Sequence, residues 1–154
     1  MMSRLYERFV LEYFRKHYPN LRANPYQIMW NVDNDIRDFL PVMQTDISLS
    51  YKDKILIIDT KYYGQTMQTN QYDHQTLRSN HMYQIFAYVK NKDKHNTGKV
   101  SGMLLYAKTD EEILSDYDYV MSGNKISVKT LDLNQKFSRI ARQLNHIAET
   151  LVCE

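Results

Sequence analysis

Cysteine is almost missing from this chain: 154 residues contain one, Cys153. A lone thiol cannot close an intramolecular disulfide or build a cysteine-rich zinc site, and it fits a reducing cytoplasm. Glycine (4) and proline (3) are scarce as well, which predicts regular elements joined by few tight turns. No run approaches the roughly 18 apolar residues of a membrane helix. Met1-Met2-Ser3-Arg4 is not followed by the continuous apolar segment of a secretory leader. Net charge is only +2, so any affinity for nucleic acid must come from a local patch. The five histidines (His17, His74, His81, His95, His146) show no ligand spacing such as His-x3-His, and none is assigned to a metal. There is no Gly-x4-Gly-Lys-Ser/Thr phosphate loop, zinc finger, helix-turn-helix, internal repeat or low-complexity tract. The chain is therefore not a P-loop motor, and no sequence-reading module is visible.

What is present is an ordinary globular composition, 43% hydrophobic and 25% charged, at a length that suits one domain. Thirteen tyrosines supply rings that can stack on bases, line grooves or edge a core. Residues from about Ser3 to His17 have helical spacing, with Tyr6, Phe9, Val10, Tyr13, Phe14 and His17 on one stripe, Ser3 as N-cap and Pro19-Asn20 as stop. Tyr26 to Val32 reads as a strand, and Asp33 to Pro41 as a polar, ambiguous stretch. Gly64 to Arg78 is polar and reads as a mobile or substrate-facing loop, with Asp73 placed to cap the next helix. That helix spans Ser79 to Lys90, with Met82, Ile85, Phe86 and Val89 as its stripe. A basic loop follows (Lys92, Lys94, His95, Lys99), then a strand from Val100 to Ala107. Val120 to Leu131 holds a strand or a hairpin around Gly123-Asn124, and Asn134 to Val152 a terminal helix. Mixed elements around one sheet make an α/β or α+β domain.

The most informative stretch runs from Asp46 to Lys61. Two apolar-alternating runs flank a polar turn at Tyr51 to Lys54, a β-hairpin signal. With the turn centred between Lys52 and Asp53, Asp46 falls directly opposite Asp59, and Lys61 shares the face of Asp59. An odd loop would instead shift the register by one and leave a solvated hairpin. Opposed like charges destabilise a sheet, so something should offset them. A hard divalent cation with oxygen ligands is the natural candidate, and a cation beside a lysine suits phosphodiester hydrolysis.

The order helix–three strands–helix–strand, with Asp46 followed by Asp59-Thr60-Lys61, resembles the PD-(D/E)XK nuclease superfamily. Leu5-Tyr6-Glu7-Arg8-Phe9-Val10 resembles its first-helix motif, and Met82 to Tyr88 resembles the Gln-x-x-x-Tyr helix of the RecB-like and McrC-like branches. Ile57 to Tyr63 and Gly102 to Tyr106 look most like the McrC and LlaJI-type families, nuclease subunits of modification-dependent restriction systems. The position before Asp46 is Thr45, where the superfamily's name carries proline.

The resemblance implies a restriction-endonuclease-like core: a central mixed sheet flanked by helices. It implies a single nuclease domain over residues 1–154, with a core of about 3–107 and a C-terminal extension of about 108–154. It implies a Mg2+- or Mn2+-dependent deoxyribonuclease in the cytoplasm, with DNA and a McrB-like AAA+ GTPase motor as partners and no membrane. The family has a region before the nuclease domain that engages the motor, and this chain begins almost at the first nuclease helix. Asp46, Asp59 and the Thr60 carbonyl would ligate the metal, with Glu7 completing the acidic shell. Lys61 would position or help deprotonate the attacking water. Gln84 and Tyr88 would contact DNA backbone near the site or brace Lys61, and Tyr62 would contact DNA or support the site. Two other readings stay open: a RecB-like repair exonuclease domain, and a non-catalytic nuclease-like module that binds DNA or a partner.

Overall fold

The computed structural model describes residues 2–62, 67–69, 75–108 and 116–153. Helix α1 (Met2–His17) is followed by a single 3-10 turn and two short strands, β1 (Gln27–Ile28) and β2 (Met43–Gln44), which pair with each other. The hairpin β3 (Ile47–Tyr51) and β4 (Lys54–Lys61) comes next, then β5 (Met67–Thr69) paired with β6 (Gln75–Leu77). Helix α2 (Ser79–Lys92), β7 (Val100–Lys108), β8 (Tyr117–Met121), β9 (Asn124–Asp132) and α3 (Phe137–Cys153) complete the chain.

The main sheet has the order β3-β4-β7-β9-β8. β4, β7 and β9 run parallel to one another, and β3 and β8 run antiparallel at the two edges. Interior parallel strands are covered on both faces, which is why β4 and β7 are nearly continuous apolar runs. One face packs Leu56, Ile58, Met103 and Leu105 against α1 and α3. The other packs Ile57, Leu104, Tyr106 and Val128 against α2. α2 lies close because Gly102 has no side chain: a Cβ there would sit 2.7 Å from both Ile85 and Val89. This is the helix-flanked mixed sheet of a restriction-endonuclease-like core. β9 is an interior strand between β7 and β8, so the segment after residue 108 completes the sheet.

Several local expectations are corrected. Ser3 lies inside α1 and does not cap it. Of Tyr26 to Val32, only Gln27–Ile28 is paired. The polar stretch before α2 contains the β5–β6 pair, while Asp73, His74 and Tyr63 lie outside the described residues. α3 starts at Phe137, later than Asn134, which instead donates its N–H to the Asp132 carboxylate in a local turn (2.9 Å). The buried stripe of α2 is His81, Ile85, Tyr88 and Val89, turned slightly from the expected one; Met82 and Phe86 are only partly buried.

Candidate active site

The β3–β4 register pairs Ile47 with Ile58 and Tyr51 with Lys54. Continued by one residue, it sets Asp46 opposite Asp59, as the even turn predicts. Alternation turns Asp59 and Lys61 to the α2 face, beside Ile57. Across the parallel pair, Lys61 is level with Tyr106 and Asp59 with Leu104. The charged groups therefore sit where β4 leaves the core, on the face that α2 covers.

Asp59 is buried, with 3% of its surface exposed. Its Oδ2 lies 2.8 Å from Lys61 Nζ, but no well-aligned hydrogen bond reaches that oxygen. Burial, then hydrogen bonding and charge repulsion from Asp46, push the Asp59 carboxyl up to about 7 against the pull of Lys61. Near neutral pH Asp59 therefore passes between its acid and carboxylate forms. Asp46 is half-buried and oriented by Thr60, whose N–H (2.9 Å) and Oγ1 (3.1 Å) both donate to its Oδ2.

Lys61 Nζ also donates to Gln84 Oε1 (2.7 Å), and Gln84 Nε2 donates to the Tyr88 hydroxyl (2.9 Å). Gln84 and Tyr88 are one helical turn apart, so α2 holds the lysine through a two-link chain. Burial raises the Tyr88 hydroxyl, and Asp59 and Asp46 add to the shift. The phenol stays protonated at neutral pH.

Glu7 approaches from α1. Burial and the charge of Asp46 raise its carboxyl, with Arg4 opposing. Two contacts seat this part of α1 over the end of the sheet: the Tyr6 hydroxyl donates to the Leu105 carbonyl (3.2 Å), and its ring meets Tyr62 at 6.1 Å. Tyr62 thus packs on the α1 side, opposite the face of Lys61, and its visible role is to steady the helix that carries Glu7.

His81 and Tyr106 carry no site motif that marks them in the sequence. Both are buried next to this site, with His81 Nδ1 and the Tyr106 hydroxyl 2.8 Å apart. Burial, Lys61 and Arg78 lower His81 to about 4, so it is neutral. The available signal was spacing, since His81 lies three residues before Gln84 and four before Ile85.

Among the described residues, no three His, Cys, Asp or Glu side chains form a ready metal cage. The donor set still suits a hard cation. Mg2+ commonly takes only one or two carboxylates and keeps several waters. Here two carboxylates converge, one with a buried oxygen lacking a hydrogen bond and a raised affinity for a proton that a cation would displace.

The family model described as "McrBC 5-methylcytosine restriction system component" matches residues 1–107. The chain is also 27% identical over 146 residues to the Type IV methyl-directed restriction enzyme EcoKMcrBC of Escherichia coli (strain K12). That alignment takes in 93% of this chain and 41% of the relative, so the chain spans about two fifths of the relative's length. No helix among the described residues is long and apolar enough to cross a membrane. With the match covering most of its length and four motifs folding onto one end of the sheet, this McrC-like chain belongs to the McrBC 5-methylcytosine restriction system component family.

Proposed function

We propose that the chain is the DNA-cleaving part of a modification-dependent restriction system, hydrolysing phosphodiester bonds with a divalent cation in the cytoplasm. One observation carries the reading. Two mutually repelling carboxylates, one of them buried, share a site with a lysine fixed by two partners. Such an arrangement is costly in a metal-free fold and becomes favourable around a cation.

Asp46 and Asp59, with the Thr60 carbonyl and Glu7 in support, are the residues that would hold Mg2+ or Mn2+. When bound, such an ion polarises a phosphoryl oxygen and makes water acidic enough to attack near neutral pH. Lys61 has three N–H groups. One is donated to Gln84 and the ammonium pairs with Asp59, so a further N–H can meet the attacking water or a phosphate oxygen, where charge grows as the P–O bond breaks. Tyr88 keeps Gln84 turned so that its carbonyl oxygen meets the lysine. Family membership favours restriction over repair and supports a McrB-like GTPase as the partner that delivers DNA.

The test is cleavage of plasmid DNA in Mg2+ or Mn2+ by the parent, Asp59→Ala and Lys61→Ala, with and without the GTPase motor. Cleavage by the parent that both substitutions abolish supports the site, and a requirement for motor and GTP supports the restriction role. A folded parent that never cuts, and that takes up no Mg2+ in calorimetry, leaves a binding module instead.

A further inference from the structure

A second concentration of charge lies at the opposite end of β4. Two loops meet there, tied by the Ile55 N–H donating to the Lys99 carbonyl (3.0 Å). The β3–β4 turn brings Lys52 and Lys54, whose ammonium groups lie 5.3 and 5.8 Å from the Tyr51 ring centre. The end of α2 and the loop beyond it bring Lys92, Lys94 and Lys99. Two acids interrupt these five lysines. Asp53 is exposed and pairs with Lys99. Asp93 is buried at 4% exposure, and its carboxylate is occupied by Thr97 N and Oγ1, Gly98 N and Asn124 Nδ2, all within 2.9 Å. Five lysines against these two acids leave a local excess of three positive charges, in a chain whose net charge is +2.

Three features separate this pole from an ordinary solvated loop. First, it is built: Asp93 pins the loop backbone, and Lys90 ties α2 to the next hairpin through Ser122 O (2.9 Å) and Asn124 Oδ1 (2.8 Å). Second, Lys52 occupies a left-handed backbone position (φ 55°). Glycine or asparagine would sit there with less strain, so the side chain accounts for the lysine better than the turn does. The helix dipole favours Lys92 at the end of α2, but it says nothing of Lys52, Lys54 or Lys99. Third, a cleft of about 170 Å3 lies beside the pole on the face of the β3–β4 hairpin that carries the site carboxylates. Lys92 lines it beside Tyr26, over a floor of Ser48, Ser50, Ile55 and Ile57. Ser48 and Ile57 are each two residues from a site carboxylate.

We propose that this lysine pole is a second nucleic-acid contact, gripping the phosphate backbone of the DNA whose scissile phosphate lies at Asp46 and Asp59. The proposal rests on the nuclease reading. Lys54 and Asp59 are five steps apart on one strand, about 17 Å at ~3.3 Å per residue. At ~3.4 Å per nucleotide along a strand, the gripped phosphates lie about five nucleotides from the cut.

The test is binding of a fluorescent DNA duplex to the full chain in EDTA across a salt series, for the parent, Lys52→Gly and the triple variant Lys52→Gly/Lys92→Gln/Lys94→Gln. Glycine relaxes the left-handed turn, so Lys52→Gly should melt no lower than the parent. Each lost phosphate contact lowers the slope of log affinity against log salt by about 0.9. The expected drop is about 1 for the single variant and 2 to 3 for the triple, with at least tenfold weaker binding near 0.1 M salt. Asp59→Asn should bind at least as tightly as the parent. Equal slopes and affinities for parent and triple variant overturn the proposal and leave the nuclease reading standing. A parent that binds no duplex at any salt overturns it as well. Lysine-dependent binding by a chain that cuts no DNA in Mg2+, with or without the GTPase motor, keeps the pole and removes the nuclease reading.

Discussion

Asp59→Asn should stabilise the metal-free protein at pH 8 while abolishing cleavage. The folded protein holds the Asp59 proton up to about pH 7, because burial and Asp46 disfavour the anion. An unfolded chain releases it near the ordinary 3.8. Between those values the native state binds more protons, so stability falls as pH rises. The penalty is absent below about pH 4 and complete above about pH 7. At about 1.4 kcal/mol per tenfold change in proton activity, its full size is about 4 kcal/mol. Asparagine carries no such charge, although it also forgoes the ion pair with Lys61, so the gain at pH 8 is about 2–4 kcal/mol and fades toward pH 4. Urea unfolding of both proteins in EDTA at pH 4.5, 6, 7 and 8.5 reads this directly. Mg2+ at about a hundred times its dissociation constant should return about 2.7 kcal/mol to the parent at pH 8 and far less to the variant. Parallel stability–pH curves for the two proteins, or an asparagine variant less stable than the parent at pH 8, refute the reasoning.

Lys61→Met should leave the fold intact and lower the cleavage rate by about 10²–10³, as loss of one preorganised electrostatic donor does; single-turnover cleavage checks it, and a loss under fivefold removes Lys61 from the chemistry. Gly102→Ala puts a Cβ 2.7 Å from Ile85 and Val89 and should cost about 1–3 kcal/mol, read as a lower urea midpoint. Asp93→Ala strands the donors of Thr97, Gly98 and Asn124 and should cost about 3 kcal/mol. Burial works to raise the Asp93 carboxyl, but hydrogen bonds from Asn124, Thr97 and Gly98 outweigh it and hold it well below the usual range. Its contribution is thus fully present above about pH 4 and is lost as pH falls further. The stability gap between parent and Asp93→Ala should narrow in acid.

The hairpin and its carboxylates were legible in the sequence because they are local. Period-two alternation and an even turn dictate both register and face, so the opposition of Asp46 to Asp59 needs no knowledge of the rest of the chain. The helices were legible for the same reason, through the apolar stripes of α1 and α3. Tertiary structure decided what lay far apart in sequence. It laid β7 parallel to β4, let Gly102 bring α2 down on the sheet, and so delivered Gln84 to Lys61 across 23 positions. It inserted β9 between β7 and β8, and it buried Asp93 in a loop that reads as plainly basic. It also turned Tyr62 toward Tyr6. The sequence by itself determined which side chains share a strand face, because that follows from backbone geometry alone. Which faces meet, and how far burial and repulsion raise the proton affinity of Asp59, only the packed fold decided, since both depend on neighbours that no local pattern names.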